Sequence, residues 1–160
     1  MNIRNILITL CLLAVFPLTV SAKVLTVLPG KSIQEKIDEA EDNDFVAIFG
    51  GTYNENLTID NKVIRLVEVK GQDVTISGNV NFQNCSTVPP LEGFKFKGGG
   101  KTLAFLNCEG EILLRNINHE EGERIEFSSE NGRLVIDSSQ IKRLNVDRGS
   151  AEISNSDVKI

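Results

Sequence analysis

The chain has no tryptophan and only one tyrosine, one methionine and one histidine among its 160 residues, and aromatic residues make up just 6% of it. A single histidine excludes a histidine-rich metal site and any mechanism that needs two imidazoles. Basic residues are in deficit. With 17 Lys and Arg against 22 Asp and Glu, the net charge is −5, which argues against the basic surface a nucleic-acid partner requires. Tight-hairpin sequences are also scarce, Asn131-Gly132 being the only Asn-Gly or Asp-Gly pair, so consecutive antiparallel hairpins are disfavoured. Apolar residues are not scarce. They reach 41%, against 24% charged, the balance of a chain that folds, and the length suits one domain with a short appendage.

The longest apolar run comes first. Arg4 precedes an apolar stretch from Ile6 to Phe16, and Val20-Ser21-Ala22 supplies small residues before a cut after Ala22. This is the pattern of a secretory signal peptide. A membrane anchor needs roughly 20 apolar residues, and Pro17, Thr19 and Ser21 interrupt this run too early. The expected division is a signal peptide over 1–22 and one folded domain over 23–160. The mature chain is expected to be secreted or periplasmic, with no membrane partner after cleavage. Cys11 leaves with the signal, and Cys85 and Cys108 remain.

The mature part opens with a short apolar run, Val24 to Leu28, and a turn at Pro29-Gly30. Ser32-x-x-Glu35 is a capping-box pattern, and Ile33, Ile37 and Ala40 form one apolar stripe, so a helix is predicted over about 32–41. From Phe45 onward the period changes to two. About thirteen short alternating runs follow, from Val46-Ile48 to Val158-Ile160, separated by breakers such as Gly50-Gly51, Gly71, Pro89-Pro90, Gly98-Gly99-Gly100 and Asn131-Gly132. Phe82-Gln83-Asn84-Cys85 returns as Phe105-Leu106-Asn107-Cys108 after 23 residues, and Ile136-Asp137-Ser138-Ser139 is echoed by Ile153-Ser154-Asn155-Ser156 after 17. Three strands per 23-residue period make a coil of parallel strands, each turn stacked about 4.8 Å above the last.

The segments Ser32-Ile33-Gln34-Glu35-Lys36-Ile37-Asp38-Glu39-Ala40, Asp44-Phe45-Val46-Ala47-Ile48 and Gly51-Thr52-Tyr53-Asn54-Glu55-Asn56-Leu57-Thr58-Ile59 resemble the start of right-handed parallel β-helix proteins of the pectin lyase-like superfamily. The resemblance covers about residues 26–66. It implies an all-β fold: a short right-handed parallel β-helix of about four to five turns, closed at its first turn by the helix. The superfamily holds lyases, hydrolases, esterases, adhesins and non-catalytic modules, so the fold does not name the activity. In this geometry Tyr53 and Glu55 pin the corner into the first full turn, and Asn84 and Asn107 stack as an amide ladder. Cys85 and Cys108 fall in one column, close enough for a disulfide worth roughly 3 kcal/mol; the alternative is a ladder of two buried thiols.

Catalysis by resemblance to a polysaccharide lyase would need acidic residues that hold Ca²⁺ and a basic residue that removes a proton next to a uronate carboxylate. The candidates are Glu109 and Glu111, which alternate along one strand, with Arg124 and Arg133; Glu120, Glu121, Glu123, Glu126, Asp137 and Asp147 are further acids in the region. None of them forms a motif. The Gly-His-Gly of polygalacturonase-type sequences is missing, and the Gly-Arg-Pro-Trp of pectin methylesterase-type sequences is impossible without tryptophan. His119, alone beside Glu120 and Glu121, reads as a surface residue, and Gly98 to Thr102 as a corner loop. The function expected is therefore an exported β-helix module without catalysis or cofactor, serving a structural, self-associating or glycan-binding role. Its partners would be a polysaccharide or another copy meeting the final turn. The alternative is a minimal Ca²⁺-dependent pectate lyase-like enzyme.

Overall fold

The computed structural model describes residues 21–97, 102–119 and 124–158. The expected signal segment up to residue 20, the corner loop at 98–101, the acids Glu120, Glu121 and Glu123, and Ile160 lie outside the described residues.

The chain is all-β, a parallel β-solenoid of about five turns with one short helix. Its strands are β1 (Val24–Val27), β2 (Phe45–Ile48), β3 (Gly51–Tyr53), β4 (Leu57–Asp60), β5 (Arg65–Glu68), β6 (Val74–Ile76), β7 (Val80–Gln83) and β8 (Leu91–Glu92). They continue as β9 (Lys95–Phe96), β10 (Thr102–Leu106), β11 (Gly110–Arg115), β12 (Asn118–His119), β13 (Arg124–Asp137), β14 (Gln140–Ile141), β15 (Leu144–Ser154) and β16 (Asp157–Val158). The helix α1 (Ile33–Glu39) lies between β1 and β2. Three ladders run along the coil: β1-β2-β5; β4-β7-β10-β13 with β11-β8 and β15 joined to β13; and β3-β6-β9-β12-β14-β16.

Alternation puts every second residue into the bore, where it stacks on its counterpart one turn away. One column is Ile59, Phe82, Phe105, Phe127, with register pairs at each step. Within it Phe82 and Phe105 stack with centroids 5.2 Å apart. The Asn84–Asn107 ladder is present: the Asn107 amide donates to Asn84 Oδ1 at 3.5 Å, and the Asn84 amide to Asp60 Oδ1 at 2.9 Å. Asn61, Asn84 and Asn107 all have positive φ, near 50°, the left-handed corner that asparagine tolerates best after glycine.

The helix closes the first turn as expected. Ile33, Ile37 and Ala40 are buried against the core. Ser32 Oγ accepts from the Glu35 amide at 3.1 Å. A carboxylate from the next turn completes the cap: Glu55 accepts from Ser32 Oγ and the Ile33 amide, both at 2.7 Å, and from the Gln34 amide at 3.3 Å. Tyr53 Oη donates to the Phe49 carbonyl at 2.7 Å. Both residues therefore pin the corner.

Two sequence expectations change. Asn131-Gly132 does not break a strand. It lies inside β13, where Gly132 pairs with Gly110, because β13 rounds a corner without leaving its ladders. His119 is not a surface residue. It is 1% exposed, since β12 pairs with β9 and places His119 in the bore column above Phe96.

Candidate functional site

Among the described residues, the ladder lapses once along the side of the coil. β5 and β8 lie side by side yet belong to different sheets. A hollow of about 700 Å³ opens there, lined by Phe45, Arg65, Val67, Glu68, Lys70, Pro89, Pro90, Glu92 and Asn116 among others. A second hollow of about 380 Å³ lies across Pro89-Pro90 and shares Arg65. Together they form a groove crossed by the proline pair.

Glu68 stands at the lapse. In β5 the register runs Leu66, Glu68 where the neighbouring strand β2 has Val46, Ile48, so a carboxylate takes a position that is apolar one turn earlier. Its side chain lies against Gly93, where an added Cβ would come 2.6 Å from the Glu68 carboxyl carbon. Gly93 also holds φ +84°. The positive φ favours glycine at that point. Burial pushes the Glu68 carboxyl above the ordinary range, and the charges of Asp73 and Glu92 add to this while Lys95 opposes it.

The rest of the groove is mixed in character. The Arg65 guanidinium sits 5.2 Å from the Phe45 ring centroid, a cation–π contact. The Asn116 amide donates to Glu92 Oε1 at 3.3 Å. Cations from Arg65 and Lys70, acids from Glu68 and Glu92, an amide and an apolar wall of Val67, Pro89 and Pro90 face one space. Such a lining offers donors and acceptors beside apolar faces, the set that ligand hollows use to fix orientation.

Most of the residues singled out from sequence lie elsewhere. Glu111 lines the smaller hollow, but its carboxylate pairs with Arg133 at 3.4 Å, and Arg133 also reaches Glu152. Arg124 pairs with Glu126 at 2.7 Å. Glu109 is exposed at the corner before β11. Asp137 is a hub: it accepts from Asn155, Ser154, Ser138 and Arg115. These donors hold its carboxyl below the ordinary range. Glu111 and Arg133 thus form a cross-turn ion pair, Arg124 pairs within its own strand, and the four candidates make no convergent cluster. Among the described residues there is no group of three or more His, Cys, Asp or Glu side chains placed to hold a metal, and no helix long and apolar enough to cross a membrane. Cys85 and Cys108 are separate, buried thiols.

Sequence reasoning missed Glu68, Glu92, Arg65 and Lys70. The signal was present in the run Ile64, Leu66, Glu68, where an acid takes the third inward position. Comparison of the chain with family models, with curated proteins and with solved structures returns no match.

The final turn is a second feature. Val146 stacks on Phe127, and Ile153 on Ile136, yet they stay 37% and 38% exposed. Ala151, above Leu134, is exposed too. These are bore positions with no turn above them among the described residues.

Proposed function

We propose that this chain is an exported, non-catalytic β-helix module that binds a glycan in the groove between β5 and β8, and that it is a short relative of the pectin lyase-like superfamily. The observation that carries the binding reading is the groove itself, where two carboxylates, two cations and an asparagine surround an apolar wall. Polyhydroxylated ligands use such paired donors and acceptors, and their ring faces pack on proline, valine and aromatic surfaces. Glu111, Arg124 and Arg133 engage partners on the outer surface instead of converging on one space, which supports a non-catalytic role.

The test uses the mature chain, residues 23–160, with a panel of polysaccharides, both neutral and uronate-containing. Affinity electrophoresis reads binding, and ultraviolet absorbance of unsaturated ends reads β-elimination, each with and without Ca²⁺. Retardation by a polysaccharide that weakens at least fivefold in Arg65→Ala and in Glu92→Ala supports the proposal. A Ca²⁺-dependent rise in absorbance would establish the lyase alternative instead.

The exposed bore residues of β15 favour self-association as a second reading. An open strand edge with apolar residues beside it is a template for pairing. Light scattering should then show a concentration-dependent dimer that Ile153→Lys abolishes.

A further inference from the structure

Cys85 and Cys108 are 23 residues apart and lie one above the other on consecutive turns. Backbone bonds hold them in register from both sides: the Asn84 amide donates to the Leu106 carbonyl at 3.0 Å, and the Glu109 amide to the Cys85 carbonyl at 2.9 Å. Partners in a parallel ladder have Cα atoms about 4.8 Å apart, inside the span that a disulfide bridges. The two thiols are neighbours, and both residues are essentially inaccessible, at 1% and 0%. No other contact needs cysteine here. Sγ of Cys85 donates only to the Gln83 and Ile59 carbonyls, and Sγ of Cys108 to that of Leu106.

We infer that Cys85 and Cys108 form a covalent cross-turn staple, closed during folding by exchange with a low-molecular-weight disulfide. The inference stands independently of the glycan reading. Before the turns close, either thiol can supply the attacking thiolate, here Cys85. Its sulfur displaces one thiolate from the small disulfide and forms a mixed disulfide. Cys108 then loses its proton and attacks the Cys85 sulfur, expelling the second thiolate. Two protein thiols become one disulfide, and the small disulfide becomes two thiols, so electrons and protons balance. Closure fixes one turn upon the next beside the Asn84–Asn107 ladder, and the apolar surroundings then shield the bond from reductants.

The test uses the full chain carrying Cys11→Ser, unfolded in denaturant with reductant and refolded in a mixture of oxidised and reduced glutathione. Peptide mapping is expected to find the Cys85 and Cys108 peptides joined with loss of two hydrogens. The oxidised protein should melt roughly 10 °C above the same protein refolded with reductant. The double variant Cys85→Ser, Cys108→Ser, compared in the same two buffers, should show no difference between them. Two thiols still titratable after refolding and denaturation would overturn the inference. So would a linked pair with no rise in melting temperature.

Discussion

His119 should make this fold sensitive to acid in a way one substitution can isolate. It is the only histidine in the chain, and it occupies a bore column between Phe96 and Ile141. Its ring meets Phe96 edge-on at 6.0 Å between centroids. Burial disfavours the charged imidazolium and lowers its pKa from 6.5 to about 4. The unfolded chain therefore binds a proton on this side chain at a higher pH than the folded chain does. Stability is unaffected above the unfolded value, falls as pH drops from about 6.5, and levels off near 4. The gap between those values corresponds to about 3 kcal/mol. Carboxylates titrate in the same window, so the wild-type slope alone decides nothing. The informative quantity is the difference in unfolding free energy between wild type and His119→Leu, measured by urea denaturation at pH 7.0, 5.5 and 4.5. That difference should shift by 2–3 kcal/mol in favour of the leucine variant as pH falls. A difference that stays constant across the three pH values refutes the reasoning. An imidazole proton resonance that titrates near 6.5 in the folded protein refutes it too.

Four further outcomes test the architecture and the groove. Glu55→Ala removes the acceptor for three donors at the start of α1 and should cost about 2 kcal/mol in urea unfolding. Gly78→Ala should be far worse, because the new Cβ would stand 1.8 Å from the Glu55 carbonyl oxygen; a loss of at least ~3 kcal/mol, or failure to accumulate folded protein, is expected. Asn107→Ala should cost about 1–2 kcal/mol by combining a lost amide bond with a left-handed corner at φ 53°, and Asn107→Gly should recover part of that loss. Glu68→Gln should unfold at higher urea than wild type at pH 7, with the gap closing as pH is lowered. The folded-state pKa of Glu68 is raised, so the wild-type carboxyl gains stability on protonation while the amide has nothing to gain.

The fold was legible where local chemistry and register agreed. Ser32, Ile33, Ile37 and Ala40 announce a capped amphipathic helix, and the recurrence of Phe-x-Asn-Cys marks the height of one turn. The repeat reads well because each column asks for one kind of side chain, so apolar residues and corner asparagines return at fixed spacing. Legibility failed where a column breaks its own rule. The neighbours Glu120 and Glu121 suggest a surface loop at His119, yet register with Phe96 takes His119 inward. Register is a long-range property, and no window of adjacent residues contains it. Asn131-Gly132 misleads for a related reason: the same pair that closes a hairpin also serves where a parallel strand rounds a corner. The candidate site was the least legible part. Glu68 and Glu92 are separated by a full turn of chain, and only the coil brings them to one groove.

Those broken columns also separate structural polar groups from the candidate site. Buried polar residues in this coil are mostly stitched to the neighbouring turn. Ser129 Oγ donates to the Cys108 carbonyl at 2.5 Å, and Ser139 Oγ accepts from the Ile117 amide at 3.0 Å. Asp44 accepts from the Lys23 and Glu41 amides, which hold its carboxyl below the ordinary range. Each such group offsets its desolvation with a cross-turn bond, and that is the behaviour of a scaffold. Glu68 behaves differently. It takes a bore-register position, its pKa moves up rather than down, and the ladder beside it lapses instead of being stitched. A carboxylate in a bore-register position without a cross-turn stitch is unusual as scaffold here, and it borders the larger hollow. Local rules fail at functional sites more often than elsewhere, which makes Glu68 the residue whose replacement should divide stability from binding. If the groove is a site, Glu68→Gln raises stability and lowers ligand affinity together. If the carboxylate is a scaffold element after all, the substitution leaves affinity untouched.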